Sequence, residues 1–128
     1  MNKLEAKKIK NLESDVANCP VRSVLDRLGD KWTILILLTL SKHDKSLRFG
    51  ELNKEIGFDI SQKMLTISLR TLEADGLVSR KVYPEVPPRV EYKLTKLGHS
   101  LIPHIASLVE WADQNIDKIK GSRKKHLR

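Results

Sequence analysis

Residues 61–76, SQKMLTISLRTLEADG, decide the fold. Ser61 brings a hydroxyl that can satisfy the free amides of a helix's first turn. Gly76 accepts the left-handed backbone conformation that closes a helix. Between them Leu65, Leu69 and Leu72 recur at i, i+4 and i+7, which predicts one buried stripe. The opposite side carries Lys63, Thr66, Ile67 and Arg70, with Gln62 and Thr71 at its edges and no acid before Glu73. A leucine spine with a polar-to-basic back suits a groove lined with phosphates. An ordinary solvated helix face is the plain alternative, and the flanking sequence must decide between them.

Upstream, Phe49, Leu52 and Ile56 give an inner face to a helix from Arg48 to Ile56, which Gly57 ends four residues before Ser61. Leu47 and Arg48 predict a very short strand after a turn at His43 to Ser46. Helix, glycine-bearing turn, helix is the helix-turn-helix pattern. Before it, Asp30 can cap a helix from Lys31 to about Ser41, KWTILILLTLS, which is apolar almost all round and so predicts the central buried helix. A further helix is expected from Pro20 to Leu28, and residues 1–18 read as an arm or short helix.

After Gly76 the apolar period changes from 3.6 to 2. LVSRKVY (77–83) and RVEYKLT (89–95) predict two strands, the second with Val90, Tyr92 and Leu94 on one face and Arg89, Glu91 and Lys93 on the other. PEVPP (84–88) cannot be helical and predicts a stiff, protruding loop. This β-hairpin directly follows the helix-turn-helix and reads as a wing. From about Thr95 to Ile119 a long helix is expected, with Pro103 as a kink or a late start. Leu97, Leu101, Ile105, Leu108, Ala112 and Ile116 make one stripe, and Ile102, Ala106 and Val109 a second beside it. Two stripes exceed what one small domain needs, which points to a helix of a second copy. Leu101, Ile105, Leu108, Val109, Ala112 and Ile116 are the expected dimerisation residues. The fold class is therefore mainly α with a small β-hairpin wing, a winged helix-turn-helix dimerising through its terminal helices. It divides into an arm (1–18), the domain with its dimerisation helix (19–120) and a basic disordered tail (121–128).

Composition narrows the function. The 128 residues carry a formal charge of +8 with a pI near 9.7, which favours a polyanionic partner, although GSRKKHLR at the C-terminus holds half of that charge. Cys19 is the sole cysteine, so an intramolecular disulfide and zinc sites needing two cysteines are excluded. The four histidines lack H-E-x-x-H spacing, and no nucleophile–base pair, paired carboxylates or phosphate loop is present. No enzyme activity, cofactor or metal is expected. MNKLEAKKIK lacks the apolar run of a signal peptide, and Ile34 to Leu38 is too short to cross a bilayer. A cytoplasmic protein without a membrane partner is the expectation.

Placed in a major groove, the Ser61 helix presents Ser61, Gln62, Lys63, Thr66, Ile67 and Arg70. Gln62 matches adenine, Lys63 guanine, Arg70 guanine or phosphate, and Ile67 or Thr66 a thymine methyl. The wing is expected to hold Arg80, Lys81 and Arg89 beside the same groove, with Arg89 on the minor groove or a phosphate. Lys45 and Arg48 are the expected phosphate anchors. A winged helix that binds protein instead would present neutral surfaces here, and Lys63, Arg70, Arg80 and Arg89 argue against it.

CPVRSVLDRLGDKWTILIL (19–37), RFGELNKEI (48–56), ISQKMLTISLRTLEADGLVSR (60–80) and YPEVPPRVEYKLTKLG (83–98) stand in this order along the chain. Together they resemble the HxlR-type regulators, bacterial winged helix-turn-helix transcription factors related to the MarR group. The resemblance runs from about residue 19 to 112 and leaves out the basic tail. It implies a homodimer that binds double-stranded operator DNA as repressor or activator, with no catalytic role. Some members use a cysteine at the position of Cys19 to sense oxidants or electrophiles. Arg22 and the start of a helix would favour a thiolate there, whereas a small buried thiol near the dimer seam is the alternative. A small-molecule effector is compatible with the resemblance, but no residue pattern names one.

Overall fold

In the computed structural model, residues 2–7, 26, 29–57 and 60–127 are described. Cys19, Arg22 and most of the expected helix from Pro20 to Leu28 lie outside them. Within the arm, residues 3–7 form a helical turn whose Glu5 N–H donates to Asn2 Oδ1 at 2.7 Å.

Helix α1 (Lys31–Ser41) starts where Asp30 Oδ1 accepts the Trp32 N–H at 3.0 Å. Its apolar circumference is used on several sides, because it packs on the next two helices, on the sheet and on the last helix. Ile36 and Leu37 are fully buried, and Leu40 nearly so. Thr39 is buried as well, and its hydroxyl donates to Leu35 O at 2.7 Å, which removes the cost of an unpaired polar group. This is the buried central helix that its composition predicts.

Strand β1 (Leu47–Arg48) leads directly into helix α2 (Phe49–Ile56), whose first turn is tied by the Arg48 N–H to Glu51 Oε1 at 3.0 Å. Helix α3 (Gln62–Ala74) follows, then strands β2 (Val78–Tyr83) and β3 (Arg89–Leu94). All three strands are antiparallel in the order β1-β3-β2, so the wing is a hairpin with a third strand donated from in front of the helix-turn-helix. The core gathers around α1 from each element, with Leu52, Ile60, Leu65, Leu69, Leu72, Val78 and Leu94 buried against it. Among the described residues no helix is long and apolar enough to cross a membrane.

The turn from α3 into the wing joins two helices as well as a helix and a strand. Gly76, at φ 76°, donates to Glu73 O, and Leu77 donates to Leu72 O, both at 3.0 Å, which closes α3 with the paired bonds of a Schellman motif. The last helix, α4 (Lys96–His126), docks on the same turn. Thr95 donates its N–H to Leu77 O at 3.1 Å and its hydroxyl to Gly76 O at 2.5 Å, while accepting from the Gly98 N–H at 3.1 Å. The approach is close enough that a Cβ on Gly98 would sit 2.2 Å from the Leu77 carbonyl oxygen.

Two expectations for this helix need correcting. It begins before Pro103, so the proline marks no late start. It also runs past Ile119 to His126, so residues 121–126 are helical and not a disordered tail. Gly121 is tolerated inside it at a modest cost, and Arg123, Lys124, Lys125 and His126 in the last turn complement the negative end of the helix dipole. The apolar stripe is also divided. Ile105 is 3% exposed and belongs to the core of its own domain, with Leu101 and Ile102 packed beside it. Beyond it Leu108, Val109 and Trp111 are exposed, and Ala112 and Ile116 are half-buried.

Candidate nucleic-acid interface

The geometry of α3 starts at Ser61, whose Oγ accepts the Met64 N–H at 3.0 Å as the N-cap. Leu65, Leu69 and Leu72 are at most 1% exposed, and Ser68, which the leucine spacing did not single out, is buried beside them at 4%. Burying that side forces the other outward: Ser61, Gln62, Lys63, Ile67 and Arg70 are exposed, and Thr66 and Thr71 half-buried. The Thr66 hydroxyl donates to Gln62 O at 2.8 Å and that of Thr71 to Ile67 O at 3.0 Å, so both are spent within the helix. For Thr66 this favours the methyl contact over a hydrogen bond to a base. Met64 is also exposed in the first turn, at 39%. Its spacing of three residues from Ile67 carries the signal, since it puts two apolar side chains on one outward strip.

The wing divides its cations between two faces. In the β2–β3 register Arg80 stands opposite Tyr92 and Val82 opposite Val90, while Lys81 stands opposite Glu91 and Tyr83 opposite Arg89. Side chains alternate along a strand, so Arg80 shares the face of the buried Val78 and Tyr92, and Lys81 and Arg89 lie on the reverse. Arg80 therefore faces α3. With Thr66, Leu69, Arg70, Glu73 and Tyr92 it lines a cleft of about 380 Å³ between the helix and the sheet. Arg48, paired with Glu91 from β1, sits on the reverse face with Lys81. The three wing cations thus divide between the faces of the ribbon, Arg80 toward α3 and Lys81 and Arg89 on the reverse.

Arg89, expected on the minor groove or a phosphate, has partners within the wing. Its Nη1 lies 3.3 Å from Glu85 Oε1, its Nε 3.0 Å from Glu91 Oε2, and its guanidinium stacks 3.9 Å from the centre of the Tyr83 ring. The Nε contact is a charge contact without the alignment of a hydrogen bond. Arg89 is held by these neighbours on the reverse face of the ribbon, with its side chain 27% exposed. Lys81 is exposed, with its ammonium 5.0 Å from the same ring, and Lys45 and Arg48 are exposed at the approach to α2. At the loop, Val86 is fully exposed and the Val86–Pro87 peptide is cis.

An outward helix face free of acid over three turns, flanked by cations on strands and helix starts, has the shape and sign for a duplex: a helix fits the major groove, and exposed lysine and arginine replace counterions on phosphates. Comparison with known proteins identifies the family. A model of the HxlR-like helix-turn-helix family matches residues 27–120. An HTH-type transcriptional regulator of Methanothermobacter thermautotrophicus is 52% identical over 93 residues, covering 73% of this chain and 69% of the relative. The HTH-type transcriptional regulator YybR of Bacillus subtilis is 41% identical over 118 residues, 92% of each chain. Among solved structures, the redox regulator HypR in its reduced form superposes with a TM-score of 0.71 at 42% identity, covering 80% of this chain and 98% of its own. The match spans most of the chain, including every element that builds the exposed face of α3 and the wing, and on that ground the protein belongs to the HxlR-like helix-turn-helix family.

Proposed function

We propose that this DNA-binding transcriptional regulator works as a homodimer in the cytoplasm, setting the outward face of α3 into the major groove of a two-fold operator. The observation that carries the assignment is the contrast across α3: a leucine side sealed in the core, and an outward side with no acid from Ser61 to Leu72. Gln62, Lys63, Thr66, Ile67 and Arg70 are the base-reading set, with Arg80 beside them across the cleft and Lys45, Arg48 and Lys81 on the backbone. The dimer rests on α4. Leu108, Val109 and Trp111 are exposed beyond the last core residue, and a second copy would cover them. A two-fold dimer of this kind reads half-sites about one helical turn apart.

Lys63→Ala and Arg70→Ala should each weaken operator binding by about 1–3 kcal/mol, roughly 5- to 150-fold, as measured by fluorescence anisotropy at fixed salt. Unchanged affinity in both variants sinks the assignment of α3 to base reading.

The proposal extends to an oxidant effector, because the HypR structures describe a redox regulator in reduced and oxidised forms. As the sole cysteine, Cys19 is the residue through which a thiol oxidant acts here, by joining it to Cys19 of a second subunit or to a small thiol. Cys19→Ser is expected to bind the operator normally and to stay bound when diamide is added. A variant that diamide still releases leaves Cys19 with a structural role only.

A further inference from the structure

The reverse face of the wing presents Arg48, Ser79, Lys81, Tyr83, Arg89 and Lys93 around one acid, Glu91. Glu91 stands on the central strand, opposite Arg48 on one side and Lys81 on the other. A carboxylate in the middle of a basic ribbon opposes the phosphates that the ribbon would approach. Its contacts give it another task. Its Oε1 accepts the Ser46 hydroxyl, immediately before β1, and its Oε2 meets Arg89. Arg89 reaches on to Glu85 across the loop and stacks on Tyr83 at the end of β2. The chain Ser46–Glu91–Arg89–Glu85 thus ties both arms of the wing loop to the residue that leads, through β1, into α2. The side chains of Glu91 and Arg89 are only 17% and 27% exposed, as befits a framework in place and not a pair waiting in solvent.

We infer that Glu91 is the positioning residue of the wing, and that through it Arg89 sets the angle of the hairpin against the helix-turn-helix instead of contacting DNA. The inference rests on the DNA-binding reading above. It has an unusual sign. If Glu91 were only a surface charge, its neutralisation would tighten binding to any duplex. As a positioning residue, its neutralisation loosens the frame and lowers the preference for the right sequence.

The experiment is a pair of salt titrations by fluorescence anisotropy, using a duplex that the wild-type protein has selected from a random pool and a scrambled duplex of the same composition. Glu91→Gln should lose at least about tenfold in the ratio of selected to scrambled affinity, while scrambled binding stays equal or tightens. Arg89→Gln should lose a similar ratio with the salt slope unchanged, because a phosphate contact contributes about 0.9 to that slope for each subunit. Ser46→Ala leaves the Glu91–Arg89 pair in place and cuts only the tie to β1, so it should shift the ratio in the same direction and serves if Glu91→Gln proves unfolded in a thermal melt. A Glu91→Gln protein with an unchanged or higher ratio overturns the inference, as does an Arg89→Gln slope smaller by about 0.9 for each subunit. If the wild-type protein selects no duplex, the DNA-binding reading itself falls and takes this one with it; a selected duplex with indifferent variants removes only the role of Glu91.

Discussion

Gly98→Ala is expected to destabilise the domain by about 1–3 kcal/mol, the usual cost of forcing an extra carbon into a packed site. The new Cβ would lie 2.2 Å from the Leu77 carbonyl oxygen and 3.1 Å from Leu94 Cδ2. A flexible side chain could give way, but the oxygen belongs to the backbone and is held by the Thr95 N–H at 3.1 Å. Relief therefore requires α4 to lift from the turn that closes α3, breaking that hydrogen bond or its neighbours. Urea unfolding reads the effect as a lowered midpoint with an unchanged slope. Gly121→Ala is the control in the same helix. Its Cβ meets nothing within 4 Å, so the better helix propensity of alanine should leave stability equal or raise it by up to about 1 kcal/mol. A Gly98→Ala protein within about 0.5 kcal/mol of wild type shows that the junction has slack.

Leu65→Ala should cost more, about 2–5 kcal/mol, because a fully buried leucine is removed from a helix held on that side by three leucines. A domain with a total stability of about 5–15 kcal/mol can be brought close to its limit by such a loss. The same substitution is expected to weaken operator binding at temperatures where the protein is still folded, since the outward face of α3 is aimed by its inward one. Met64→Ala, one residue away and 39% exposed, should change stability by no more than about 0.5 kcal/mol. Unfolding followed by circular dichroism separates the two. Equal effects at Leu65 and Met64 would mean that the leucine spine does not seat the helix.

These outcomes follow from features of very different visibility in the amino-acid sequence. The cap at Ser61, the leucine spacing and the stop at Gly76 are local, each decided within one or two turns of chain, and α3 follows from them almost to the residue. The change of period after Gly76 marks the wing for the same reason, and Leu47 and Arg48 do form the short strand expected of them. Burial was legible without its partner. An apolar position on a stripe must be covered, but the stripe is silent about what covers it, so Leu101 and Ile105 read as dimer residues although they complete the core of their own domain. Charge was legible without its geometry. Arg80 and Lys81 are adjacent, and only the pleat sends one toward α3 and the other away. Arg89 reads from the sequence as a DNA contact by its charge alone, although Glu91 shares its strand face two residues on; only the fold of the loop brings Glu85 and the Tyr83 ring to the same guanidinium. The run of α4 beyond Ile119 was hidden by Gly121, a residue that weakens a helix without obliging it to stop.

The junction at Gly76, Leu77, Thr95 and Gly98 is also a fulcrum. Helix α4 has 31 residues and, at 1.5 Å of rise per residue, is about 46 Å long. Its near end is fastened to the carbonyls that terminate α3, and among the described residues Ile105 is the last of the helix to join the buried core. On an arm of that length a tilt of about 5° at the base moves the tip by about 4 Å. The converse follows from the same hydrogen bonds: α4 cannot tilt at its near end without pulling on the carbonyls of Gly76 and Leu77, which close α3.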